Sequence, residues 1–421
     1  MDKFIIEGPT QLNGTIPISG SKNAALPLMA AALLADSDSV ITNVPRLKDI
    51  YTFSDVIRTT GAEVNFDKQS NRLHINPAGM NKFVAPYELV RKMRASFYML
   101  GALTGRFGKA KVSLPGGCAW GPRPVDLHLQ GMRALGIDIE LEEGYVLAKA
   151  PKTLEPATFT LNPSSVGATV NLVLASALRA EHFVLKNAAR EPDVVLLCEA
   201  LKKMGADING IGTEKLTIKG VDELKGLTLT NAPDRIETGT FMMAAGMLPG
   251  SKVTLTGANP DELGAFPSCF KKTGINFSIS EDEIYIKAPD KIKPVSIETA
   301  VYPGFATDLQ AQWATMMTQA DGKSTVTDNV YSDRFSYVPE LKRLGADISV
   351  GGNKAHIQGK TALKGTSVMS TDLRASVSLV MAAMAAAGSS EVLRVYHLDR
   401  GYESLERKLN DIGAKIERVE Q

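Results

Sequence analysis

Apolar positions along the chain follow two alternating periods, and that alternation itself repeats. Six stretches are alanine-rich and apolar on nearly every face of a helix. They are KNAALPLMAAALLA, RASFYMLGALTG, GATVNLVLASALRA, ETGTFMMAAGML, TDLQAQWATMMTQA and LRASVSLVMAAMAAA, starting near 22, 94, 167, 237, 307 and 373. A helix without a polar face is buried on all sides. A short β-branched strand follows, as in SVITNV, HFVLKNA, KVTLTGA and STVTDNV. Next comes an amphipathic helix that ends on glycine and leads into an alternating strand: TTGAEVNF, ALGIDIEL, KMGADING, KTGINFSI, RLGADISV and DIGAKIER. These glycines, Gly61, Gly136, Gly205, Gly274, Gly345 and Gly413, stand 68 to 75 residues apart. Glycine takes the left-handed cap of a helix without Cβ strain. One unit therefore reads as helix, strand, loop, helix, glycine, strand and a short hairpin, six times over.

Five of the hairpins are internal: around RLHINPAGM, YVLAKAPKTLEPATFTL, KLTIKGVDELKGLTLT, IYIKAPDKIKPVSIE and AHIQGKTALKGTSVM. The sixth unit reaches KIERVEQ without one, and FIIEGPTQLNGTIPIS near the N-terminus has the missing pattern. The simplest closure adds residues 1–21 to the last unit. The units then split three and three, into one domain at 22–230 and a second at 1–21 plus 231–421. The predicted fold is α/β, with two domains of three repeated units built around buried Ala-rich helices. A cleft between two similar domains is a favoured ligand site. The competing arrangement, an open solenoid, has no need to return its N-terminus to its C-terminus.

Composition narrows the function classes. The 421 residues allow two or three domains, and 44% hydrophobic with 22% charged residues is ordinary for a globular protein. A net charge of +1 gives no general attraction to nucleic acid or membrane. MDKFIIEGPTQLNG is not a cationic segment followed by an apolar run, so no secretory signal is read. The most apolar stretch, ALPLMAAALLA, is too short to span a bilayer. The three cysteines, Cys118, Cys198 and Cys269, form no CxxC or Cys/His ligand spacing. The five histidines are scattered and form no ligand set. A reduced, cytoplasmic protein without a metal is expected.

Equivalent positions of a repeat look alike unless function has changed them, and two differences stand out. From the short strand to the glycine, Val40 to Gly61, Val184 to Gly205 and Val392 to Gly413 are each 21 residues, but Val112 to Gly136 is 24. The extra residues fall around Gly116, Gly117 and Cys118 in LPGGCAWGPRP. Cations also recur at matched places. Lys48, Arg123, Arg190, Arg334 and Arg400 lie in the strand-to-helix connection, and Lys22, Arg94 and Arg374 lie where the apolar helices begin. A positive charge at a helix start opposes the dipole, but both attract an anion. Asp308, in FATDLQAQ, takes the place that cations hold in other units. It reads either as a carboxylate able to accept a proton or as a helix cap. Cys118, near Arg123, reads as a nucleophile or proton donor on a mobile loop. Cys198 and Cys269, on amphipathic helices, read as small buried hydrophobes. His128 and His397 lie near these positions.

ISGSKNAALP, MRAS, LPGGCAWGPRPVDLH, NAAREPD, PDRIETGTF, FATDLQAQ, TDLRAS and YHLDRGYE together resemble the enolpyruvyl transferases, over the whole chain. The resemblance implies two inside-out α/β barrel domains of three units each. It implies transfer of the enolpyruvyl group of phosphoenolpyruvate to the 3′-hydroxyl of UDP-N-acetylglucosamine for cell-wall synthesis, with neither cofactor nor metal. Carried over by position, Lys22, Asn23, Arg94, Arg123 and Arg400 match phosphoenolpyruvate contacts. Asn23, Arg94, Arg123, Pro124, Val125, Asp126, Leu127, Pro163, Ser164, Ser165, Val166, Asp308 and Val330 match contacts to the nucleotide sugar. Cys118, Asp308, Lys22 and Arg400 take the catalytic positions, with Lys48, Arg334, Asp372 and Arg374 in support. Cys118 matches the loop cysteine that fosfomycin alkylates. Trp120, Pro122 and the Pro163-Ser164 pair depart from the family's usual residues.

Three alternatives are separable. A related transferase acting on shikimate 3-phosphate has no such cysteine loop. A nucleotide-sugar sensor without turnover needs neither the acid nor the cysteine. A nucleic-acid clamp calls for a basic excess and aromatic platforms, against +1 and 6% aromatics here.

Overall fold

Six glycines do what the repeat asks of them. Gly61, Gly136, Gly205, Gly274, Gly345 and Gly413 all have φ between 78° and 114°, the left-handed region that ends a helix. The structure, a computed structural model, describes residues 2–115 and 125–420, so Cys118, Arg123 and Pro124 lie outside the described residues. Contacts divide the chain into two units, Gly20–Ala232 and Met1–Ser19 with Pro233–Gln421.

In the Gly20–Ala232 unit the apolar stretches form helices α1 (Lys22–Ala32), α2 (Met99–Phe107) and α3 (Val166–Ser176). Side chains such as Met29, Leu100 and Leu172 are fully buried, so these helices lie inside and the sheets outside. Helices α2 and α3 pack at glycine. A Cβ on Gly101 would lie 2.4 Å from the Asn171 carbonyl oxygen, and one on Gly105 would lie 2.4 Å from that of Leu174. Three four-stranded sheets surround them among the described residues. In one sheet Thr228–Thr230 runs parallel to Ser39–Thr42, which pairs antiparallel with Arg72–Asn76, itself antiparallel to Glu63–Asp67. The other two sheets repeat this order.

The second unit repeats the plan with α4 (Arg235–Met247), α5 (Gln310–Met317) and α6 (Leu373–Ala385). Asp2–Gly8 pairs antiparallel with both Gly388–Leu393 and Ile416–Glu420, while Asn13–Pro17 runs parallel to Lys252–Thr256. Each unit has its own hydrophobic core.

One expectation is corrected. The five internal segments read as hairpins are not hairpins. Tyr145–Lys149 and Ala157–Thr160, for example, belong to different sheets. The intervening APKTLEP carries two prolines and no Asn-Gly or Asp-Gly turn, so nothing there closes a tight antiparallel turn. The second strand instead joins the next sheet in parallel, and the third exchange returns to the first sheet. The actual hairpins lie one connection earlier. Glu143 and Gly144 have φ of 49° and 80°, the two positive values of a two-residue turn, between the paired Glu142 and Tyr145.

Candidate active site

Two of the six apolar stretches do not begin as α-helix. Arg94–Tyr98 and Thr307–Leu309 are 3₁₀ turns that lead into α2 and α5. They carry Arg94 and Asp308. Other helix starts are capped by side chains. Ser21 and Ser165 accept from Ala24 N and Ala168 N in one unit. Asp234 and Asp372 accept from backbone amides of α4 and α6 in the other.

In the second unit, Asp308 stands between two arginines. Its Oδ1 is 2.7 Å from Arg334 Nη1, and its Oδ2 is 3.1 Å from Arg374 Nη2. Burial alone would raise the Asp308 pKa, but the guanidinium groups of Arg374 and Arg334 hold it well below the usual carboxylate range. Arg374 is 4% exposed. Burial disfavours its charge, yet Asp308, Tyr402 and Asp234 together outweigh that and its pKa rises. Behind Arg374, Tyr402 Oη accepts from Arg374 Nη1 at 3.2 Å and meets Thr240 Oγ1 at 2.9 Å. Gln312 Nε2 donates to the Asp308 carbonyl at 3.0 Å. The Asp308 side chain keeps 28% exposure, so a reactant can reach it. Such a carboxylate is an acceptor flanked by fixed positive charge, suited to an anionic substrate that also carries a hydroxyl.

In the first unit, Lys22 is buried at the start of α1, its Nζ 2.9 Å from Asp49 Oδ2. Asp49 follows Lys48 at the start of the Lys48–Arg58 helix. His128, on the Asp126–Ala134 helix, is buried against Phe97. Its Nδ1 lies 2.8 Å from Asn171 Nδ2, and Asn171 Oδ1 accepts from Gly101 N at 2.7 Å. Because the Gly101 amide needs the oxygen, the Asn171 nitrogen faces His128, so Nδ1 accepts and Nε2 carries the proton. Burial, with Arg94 adding to it, pushes the His128 pKa down to about 3. A ring so held is neutral near pH 7 and works as a strut.

The chain matches the family described as EPSP synthase (3-phosphoshikimate 1-carboxyvinyltransferase) over residues 6–409. It is a member of that family of enolpyruvyl transferases. It is 53% identical to the UDP-N-acetylglucosamine 1-carboxyvinyltransferase of Chloroherpeton thalassium, over 99% of this chain and 97% of that one. It is 49% identical to the enzyme of the same name from Chlorobaculum parvum, over 99% and 98%. Among solved structures it resembles the enolpyruvyl transferase NikO from Streptomyces tendae, at TM-score 0.91 and 27% identity over 99% of each chain. The EPSP synthase of Acinetobacter baumannii shares the fold at TM-score 0.76 and 18% identity, over 100% of both chains.

Of the residues singled out from sequence in this enolpyruvyl transferase, Asp308, Arg334 and Arg374 meet directly. Asp372 caps the helix that carries Arg374, and Val330 is exposed on the loop before Arg334. Arg400 ends a 3₁₀ turn, Val395–Arg400, and is half-buried. In the other unit Lys22 and Asn23 open α1, Val125, Asp126 and Leu127 lie at the start of the Asp126–Ala134 helix that follows α2, and Pro163, Ser164, Ser165 and Val166 lead into α3. Lys48 is exposed. Sequence reasoning did not single out Asp49, Thr307, Asp328 or Tyr402. Asp49 and Thr307 had a signal, lying next to Lys48 in PRLKD and to Asp308 in FATDLQAQ; Asp328 and Tyr402 had none. Among the described residues no helix is long and apolar enough to cross a membrane, and no cluster of three or more His, Cys, Asp or Glu suits a metal ion.

Proposed function

We propose that this protein transfers the enolpyruvyl group of phosphoenolpyruvate to the 3′-hydroxyl of UDP-N-acetylglucosamine, releasing phosphate, as the first committed step of peptidoglycan synthesis. Full-length likeness to enzymes named for that reaction carries the reading, and the Asp308 site agrees with it. The sugar 3′-oxygen bonds to C2 of phosphoenolpyruvate while the methylene carbon gains a proton. The tetrahedral species then loses phosphate and one methyl proton, leaving the enolpyruvyl ether.

Asp308 takes the hydroxyl proton. In the resting geometry two guanidinium groups make it a weak base. An incoming phosphate or carboxylate competes for Arg334 and Arg374, and its arrival strengthens the base where the hydroxyl lies. Lys22, Asn23, Arg94, Arg123 and Arg400 hold phosphoenolpyruvate. Asn23, Arg94, Arg123 to Leu127, Pro163 to Val166, Asp308 and Val330 hold the nucleotide sugar. Cys118 gives the proton to the methylene carbon or adds to C2, and its thiolate is the target of fosfomycin. The enzyme works in the cytoplasm and serves cell shape and division through the wall.

Phosphate release from phosphoenolpyruvate tests this. UDP-N-acetylglucosamine should stimulate it and shikimate 3-phosphate should not. Stimulation by shikimate 3-phosphate alone would assign the chain to the other acceptor.

A further inference from the structure

Asp328 is fully buried, and its carboxylate faces four donors. Oδ1 accepts from Thr299 Oγ1 at 2.7 Å, Val330 N at 2.9 Å and Tyr331 N at 2.8 Å. Oδ2 accepts from Thr307 Oγ1 at 2.7 Å. A threonine hydroxyl has one proton. Thr307 gives it to Asp328, so only lone pairs remain on its other side. There Arg334 Nη1 lies 3.1 Å away and donates to it. The second proton of that nitrogen goes to Asp308 Oδ1 at 2.7 Å. Each bond therefore has a forced direction, from Asp308 through Arg334 and Thr307 to Asp328. The same carboxylate holds the turn that presents Val330.

We propose that Asp328 and Thr307 are positioning residues: Asp328 orients the Thr307 hydroxyl, which holds one arm of Arg334 so that the guanidinium stays aligned on Asp308. Buried carboxylates are costly unless fully hydrogen-bonded, and a merely structural turn needs only the amide contacts. Thr299 Oγ1, which also accepts from Asn329 N at 3.0 Å, belongs to that turn, but Thr307, next to Asp308 in sequence, ties this carboxylate to the site. The inference rests on Asp308 acting as the base in the proposed reaction.

Thr307→Val removes the hydroxyl at nearly constant shape, and Thr307→Ser keeps it. Two readouts are needed, one independent of activity. In ¹⁵N spectra of arginine side chains, assigned with an Arg334→Lys control, the two Arg334 Nη signals should be resolved in the wild type and in Thr307→Ser. They should merge in Thr307→Val as rotation is freed. In turnover, Thr307→Val should lose about 10- to 100-fold in kcat, the scale of a displaced reacting group, with the KM for phosphoenolpyruvate within about twofold. Thr307→Ser should restore most of the rate. Resolved Nη signals or wild-type kcat in Thr307→Val, or a Thr307→Ser as impaired as Thr307→Val, would overturn the proposal. Merged signals in Thr307→Val, with a wild type that releases no phosphate on adding the sugar nucleotide, would leave the relay standing and sink the assigned reaction. Should Thr307→Val not fold, Asp328→Asn takes its place: merged Nη signals and the same loss in kcat support the relay, and resolved signals or wild-type kcat overturn it.

Discussion

Two guanidinium groups keep Asp308 ionised throughout the neutral range. Asp308→Asn retains shape and hydrogen bonding but cannot accept the proton. It should lose about 10²- to 10⁴-fold in kcat, as removal of a positioned base does, while UDP-N-acetylglucosamine still raises its melting temperature. A variant keeping more than roughly a tenth of the wild-type rate would move the base elsewhere. Of the two described cysteines, both read from sequence as buried, Cys198 is buried and Cys269 is only half-buried. Burial pushes the Cys198 thiol up to about 12, so it is inert at neutral pH. With Cys118 as the reactive thiol proposed above, fosfomycin should leave one adduct, on the peptide that holds Cys118. Cys118→Asp should keep measurable activity and resist the drug, because a carboxyl group still serves as an acid but traps an epoxide poorly. Cys118→Ser should lose most activity. Adducts on Cys198 or Cys269 with Cys118 unmodified would refute this. Asp308 and Arg374 were legible in the sequence because each puts a charge at the start of an apolar helix. Asp328 and Tyr402 were not, because a hydroxyl or a single carboxylate in a loop breaks no pattern. Their roles come from partners distant along the chain.

Among the elements, the buried helices were legible and the strand partners were not. An all-apolar helix declares its burial in one dimension, whereas alternation in a strand says which residues face inward and not which strand lies alongside. That is why the exchanged strands read as hairpins. Helix contacts then carry their own consequences. A methyl group on Gly105 would meet the Leu174 carbonyl across the α2–α3 contact, where backbone leaves no room. Gly105→Ala should destabilise the Gly20–Ala232 unit by about 1–3 kcal/mol, the usual cost of overpacking, as read by urea unfolding. His128 adds a pH dependence to the same helices. Its folded pKa, about 3, lies below the ordinary value of 6.5. The unfolded chain thus binds the proton more readily between those two values. Stability from this group is complete above about 6.5 and declines as pH falls toward 3, by at most about 1.4 kcal/mol per pH unit. His128→Gln should flatten that part of the curve between pH 7 and 5. An unchanged slope would mean that other groups set it.

For the molecule as a whole, the separation of the cores matters more than its size. Buried apolar residues fall into two clusters, one wholly within 25–224 and the other drawn from 4–18 and 236–416. Hydrophobic burial is the main favourable term in folding, and chains with more than one domain core commonly depart from two-state unfolding. The chain passes from one unit to the other twice, at Ser19–Gly20 and at Ala232–Pro233. Such a protein should not unfold in one step. Its two tryptophans make this measurable, since Trp313 is fully buried in the second unit's core and Trp120 is the other. In a Trp120→Phe background, fluorescence reports only the unit that includes Pro233–Gln421. Adding Gly105→Ala, which strains the other unit, should shift one calorimetric transition by several degrees while the Trp313 midpoint stays within about 0.5 kcal/mol. Were both to fall together by the same amount, the two cores would be thermodynamically one. The strain at Gly105 would then be shared through the two crossings, and no variant could be assigned to a single unit.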